Sequence, residues 1–117
     1  VVIGALSMAI AVILGAFAAH ALKDYLDHYS KDIYKTGNFY HFIHSVALIM
    51  IGLLQQQFDI DLNTSAYSFL LGMVIFSGSL YSLALTGIKG LGAITPVGGI
   101  LFLVGWCYLG AQFYKSI

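Results

Sequence analysis

The sequence predicts an all-α integral membrane protein: a four-helix bundle with a short amphipathic connection between its first and second helices. Three observations predict this. Of the 117 residues, 60% are hydrophobic and 9% charged, with a mean hydropathy of +0.90. A soluble domain carries about 25% charged residues, and so few polar groups cannot cover the surface of so small a protein in water. Four apolar runs are each long enough to cross a hydrocarbon core of about 30 Å at 1.5 Å per residue. The five lysines and five aspartates all fall between the runs or after the last one. The length suits one transmembrane domain, residues 1–117, with spans of about 1–21, 39–56, 66–86 and 95–114.

The first run is apolar apart from Ser7. No basic region precedes it, so it is expected to be a span and not a removed signal peptide. Ser7, Ala11, Gly15 and Ala19 recur every fourth residue, a stripe that lets another helix backbone approach closely. Residues 22–38 follow, with six of the charges. Leu22, Tyr25, Leu26, Tyr29 and Ile33 keep helical spacing, which predicts an amphipathic segment at the membrane surface with tyrosines at headgroup level. The alternative is a solvated loop and an early start of the second helix, with a break near Ser30.

Asn38-Phe39-Tyr40-His41-Phe42-Ile43-His44 opens the second span, and Gln55-Gln56-Gln57 closes it. The third span carries Ser68, Ser77, Ser79, Tyr81 and Ser82, whose hydroxyls are expected to bond their own backbone or a neighbouring helix. Thr95-Pro96 opens the fourth, because threonine caps a helix well and proline is tolerated at its first position. Gly98 and Gly99 allow close helix contact there. Trp106, Tyr108 and Tyr114 lie toward the far end, as interface anchors do.

Lys23, Lys31, Lys35 and Lys89 belong to links 22–38 and 86–94, and only Lys115 falls on the other side. The positive-inside rule therefore places both links in the cytoplasm, or in the matrix of an organelle, and both termini outside. By this topology His20, Tyr40, His41, His44, Thr86 and Thr95 gather as a polar cluster at the lysine-bearing interface. Histidine is the one side chain near these runs that binds metals or moves protons near neutral pH. His20, His41 and His44 are accordingly the candidates for a metal or haem site. The competing reading, which we weigh more heavily, is that they bond across helices. A histidine metal site usually adds a carboxylate, a thiolate or more histidines, and Asp24 and Asp27 lie in the surface connection.

Other classes find little support. Ion-coupled transporters usually place charged residues inside their spans, and none lies there. A channel or carrier for a small solute, lined by Ser77, Ser79 and Tyr81, would need an oligomer. No serine stands in a nucleophile-elbow context and no glycine pattern fits a nucleotide loop. A net charge of +0 leaves no footprint for nucleic acid. Cys107, the single cysteine, reads as a small buried or lipid-facing residue.

Four stretches, in order, resemble the successive signatures of a family of small membrane proteins called domain of unknown function 423, whose animal relatives are called transmembrane protein 256. They are Gly15-Ala16-Phe17-Ala18-Ala19-His20-Ala21-Leu22, Tyr40-His41-Phe42-Ile43-His44-Ser45-Val46-Ala47-Leu48, Phe76-Ser77-Gly78-Ser79-Leu80-Tyr81-Ser82-Leu83-Ala84-Leu85-Thr86-Gly87 and Leu91-Gly92-Ala93-Ile94-Thr95-Pro96-Val97-Gly98-Gly99. The resemblance implies about four helices in a bacterial cytoplasmic or mitochondrial inner membrane. It brings no established activity and no catalytic residues. The expectation is an accessory or self-associating membrane module, with lipid and other membrane helices as partners, no cofactor, and a leaning against an enzyme.

Overall fold

The computed structural model describes residues 1–116 and contains four long helices: α1 (Val2–His20), α2 (His28–Phe58), α3 (Asn63–Thr86) and α4 (Thr95–Ser116). Each is long and apolar enough to cross a membrane. They pack in chain order. α2 and α3 form a central pair, α1 lies against α2, and α4 lies against α3. Side chains alone bridge α1 to α3 and α2 to α4. The result is an elongated lozenge of 51 × 26 × 16 Å with α1 and α4 at opposite corners.

The amphipathic connection divides at Asp27, three residues before the break expected near Ser30. Residues 21–27 are irregular, and residues 28–38 are the first turns of α2. The Asp27 carboxylate accepts the Ser30 N–H at 2.7 Å, which supplies one of the four donors a helix start leaves unpaired. Leu22 and Leu26 turn inward against Ala18, Tyr34 and Ala84, whereas Tyr25 and Tyr29 stay exposed. With 31 residues, α2 is about 46 Å long. It outreaches the hydrocarbon, and its charged first turns stand clear of it.

The α2–α3 hairpin closes on a side chain: Gln55 Oε1 accepts the Leu62 N–H at 2.6 Å. α3 ends at Gly87, whose φ of 71° suits glycine and stops the helix. A 3₁₀ turn, Lys89–Ala93, then folds back along α3, so that α4 starts beside Ser79 and not beside the end of α3.

On α1, Ser7, Ala11 and Gly15 face α2, and Gly4 joins them; a Cβ on Gly4 would lie 2.9 Å from the Ile49 nitrogen. Ala11 is fully buried, while Ala19 falls outside the contact and is exposed. Between α3 and α4 two aromatic rings and the backbone of Phe76 fill three glycine gaps. A Cβ on Gly98 would come within 2.5 Å of the Phe76 nitrogen, one on Gly105 within 2.5 Å of the Phe69 ring, and one on Gly72 within 2.6 Å of the Phe102 ring. Phe-Gly-Phe on α3 thus meets Gly-Phe-Gly on the antiparallel α4. Gly99, one residue along, makes only ordinary contact with the Phe76 ring at 3.9 Å.

Candidate functional site

The polar side chains expected at one interface are divided among separate places. His20 is exposed at the end of α1. His41 takes Ser7 as its partner on α1, and His20 lies thirteen residues further along, about 20 Å at helical rise. Thr86 donates to the Ser82 carbonyl, and Thr95 bonds the Ser79 hydroxyl at 2.5 Å. His41 and His44 lie on the fourth and fifth turns of α2 and are buried, at 8% and 2% exposure. Three residues apart on the central helix, they look into different crevices, His41 toward α1 and α3 and His44 toward α3 and α4. The three histidines weighed for a metal or haem therefore do not converge. Among the described residues, no three His, Cys, Asp or Glu side chains are grouped as ligands.

His44 is fully engaged. Trp106 Nε1, which can only donate, gives its proton to His44 Nε2 at 3.0 Å. His44 Nδ1 must then carry the ring proton, which it donates to the Tyr40 carbonyl at 2.9 Å. This pairing assigns the neutral Nδ1–H tautomer. The ring stacks on Phe102 at 3.6 Å, and Tyr40 lies in the same aromatic group. Trp106 thus sits midway along α4 against Phe69 and His44, still partly exposed at 38%, and not at the helix end as an interface anchor.

His41 belongs to a chain of hydrogen bonds joining three helices. Asn38 Nδ2 donates to the Ala11 carbonyl and to Tyr81 Oη, each at 3.0 Å. With its lone pair so used, Tyr81 donates onward to His41 Nδ1 at 2.9 Å. His41 Nε2–H donates to Ser7 Oγ at 3.1 Å, Ser7 donates to Ser45 Oγ at 2.6 Å, and Ser45 donates to Met73 Sδ at 3.6 Å. This order gives every proton an acceptor. Nearby, Tyr34 donates to the Leu14 carbonyl and Ser77 to the Gly37 carbonyl. Among the described residues, no buried side-chain nitrogen or oxygen is without a partner. Unpaired polar groups are costly in an apolar setting, and this network satisfies them while joining the helices.

Asn38, Ser45, Tyr81 and Met73 were missed as members of the His41 group, as were Trp106 as the partner of His44 and Gln55 as the hairpin clamp. The sequence carried a signal for the first of these: Tyr34, Asn38, His41 and Ser45 recur at four, three and four residues, one polar stripe inside an apolar run.

Comparison with known proteins places this architecture. The sequence profile of a family described as "Protein of unknown function (DUF423)" matches residues 14–99. A UPF0382 membrane protein of Staphylococcus epidermidis is 43% identical over 109 residues, covering 93% of this chain and 89% of the relative. One from Staphylococcus haemolyticus is 40% identical over 117 residues, covering 100% of the chain and 96% of the relative. The UPF0382 membrane protein YwdK of Bacillus subtilis is 37% identical over 108 residues, with coverage of 91% and 88%. No solved structure matches the chain.

Proposed function

The chain belongs to the DUF423 family of membrane proteins, and from that premise we propose that it is a non-enzymatic membrane module that associates with itself or serves as an accessory subunit of a larger membrane complex. One observation carries the reading: the polar side chains are satisfied inside the chain, while the apolar faces of the two corner helices are left uncovered. Val2, Ile3, Leu6, Ile10, Ile13 and Phe17 are exposed on α1, and Val97, Ile100, Leu103 and Val104 on α4. Such faces suit lipid and the helices of neighbouring subunits equally. His41 and Tyr81 border an open cavity of about 410 Å³ between α1 and α3, but both ring nitrogens of His41 are already bonded, one to Tyr81 and one to Ser7. The test is the mass of the particle extracted from membranes in mild detergent. A particle heavier than one chain is expected, and a bare monomer would count against the reading.

The bilayer is the environment of four such helices, and the relatives are named as membrane proteins of bacteria. We place Lys23, Lys31, Lys35 and Lys89 on the cytoplasmic side and both chain ends outside, on the charge asymmetry of the links. Single cysteines at Lys23 and Asn63, in a Cys107→Ser background, report the sidedness. An impermeant maleimide added to intact cells should label the Asn63 site and spare the Lys23 site; the reverse pattern would invert the topology.

A further inference from the structure

We propose that the pocket between the end of α1 and the first turns of α2 is a binding site for the headgroup of an anionic phospholipid, held by Lys23, Lys31 and Lys35. The pocket has a volume of about 370 Å³, and these three lysines line it together with Ala18, Leu26 and Tyr34.

The sequence hides this arrangement. Between His20 and Asn38 three lysines are balanced by Asp24, Asp27 and Asp32, and the segment as a whole is neutral. The fold separates the two signs. Asp27 is drawn to the Ser30 N–H as a helix cap. Asp32 lies 3.4 Å from His28, one turn back on α2. Asp24 is exposed in the connection and does not line the pocket. Lys31 and Lys35, one turn apart, project along one face of α2, and Lys23 reaches the same space from the connection. Among the described residues the only ion pair is His28–Asp32, so none of the three ammonium groups is neutralised by a carboxylate.

Depth decides which anion fits. Thr36 to Phe58 is uncharged, 23 residues or about 34 Å at helical rise, which fills the hydrocarbon. Lys31 and Lys35 therefore stand at the headgroup layer. The rest of the lining makes a mostly apolar floor, Gly15, Ala18, Ala19, Leu26 and Tyr34, with Asn38 its one polar member. A phosphodiester among the lysines with its glycerol and acyl carbons over that floor matches both halves. Basic pockets between helices at the membrane surface hold anionic headgroups in this way. A free phosphate would satisfy the lysines and leave the apolar floor uncovered.

The test uses the full chain in detergent, titrated with phosphatidylglycerol or phosphatidylcholine, with bound lipid read by native mass spectrometry. The expected result is selective retention of phosphatidylglycerol, falling about fivefold for each of Lys23→Gln, Lys31→Gln and Lys35→Gln. A triple Lys→Arg variant keeps it, which separates lost charge from lost folding. A Lys89→Gln/Lys115→Gln variant keeps it as well, which separates a site from diffuse attraction. Equal retention of the two lipids would overturn the proposal. So would equal losses in the Lys89→Gln/Lys115→Gln variant, or displacement of the lipid by inorganic phosphate at matched ionic strength, which would point to a free-anion site.

Discussion

His44 shows what the polar side chains of this protein do. Its two ring nitrogens are committed, one as acceptor from Trp106 and one as donor to the Tyr40 carbonyl. Trp106→Phe should leave a buried acceptor unpaired and lower stability by about 1–3 kcal/mol. Adding His44→Leu should recover part of that loss, with a coupling on the order of 0.6–1.7 kcal/mol, the range found for hydrogen bonds between membrane helices. Unfolding in micelles measures the cycle, and strict additivity would show the bond to be energetically idle. Asp27 gives a second prediction. Its carboxyl is held below the ordinary 3.8 chiefly by the Ser30 backbone N–H, so its folded pKa is the lower one. The cap is then complete above about pH 3.8 and is lost as the pH falls through the lowered folded value. Amide exchange over His28–Lys31 should quicken in that acid window, quicken at every pH in Asp27→Ala, and stay acid-insensitive in Asp27→Asn. Unchanged exchange in Asp27→Ala would show that the cap does nothing. Composition and spacing told which side chains were polar. They did not tell which crevice each would enter: His41 is three residues from Asn38 and three from His44, yet it shares a crevice with Asn38 and not with His44. Grouping His41 with His44 in one polar cluster was therefore misleading; Asn38 joins His41 through Tyr81, and Ser45 joins it through Ser7.

At the scale of the element, the interlocked α3–α4 contact rests on where side chains are missing. Gly98→Ala would drive a methyl group into the Phe76 backbone, which cannot move aside alone, and should cost about 1–3 kcal/mol by overpacking. Gly110→Ala meets nothing within 4 Å and should be neutral or stabilising by up to about 1 kcal/mol, since alanine favours helix. Comparing the two variants by thermal unfolding removes the effect of propensity; equal behaviour would rule out the interlock. The count of four helices was legible because apolar runs of this length have few other solutions in lipid. The start of α2 was legible only to within three residues of the break expected near Ser30, because residues 28–35 form a helix beyond the hydrocarbon, where apolar length no longer marks the boundary. The glycines of α4 announced close packing. Their match to Phe69 and Phe76 needed the antiparallel register, which no single helix contains.

The whole molecule is a lozenge whose central pair is better covered than its corner helices. The small-residue stripe of α1, which pointed to contact with some other helix, is occupied by α2 of the same chain. The proposed association would use faces that stay exposed, above all those of α1 and α4, which carry large aliphatic side chains. No sequence pattern distinguishes such a face turned to lipid from one turned to a subunit, and for that reason the partner was not legible. Native mass spectrometry of the protein extracted from its own membrane addresses the point most directly. The chain should be released from a heavier particle, containing further copies of itself or another polypeptide. A single chain carrying lipid alone, across the mildest detergents that extract it, would overturn the proposed association.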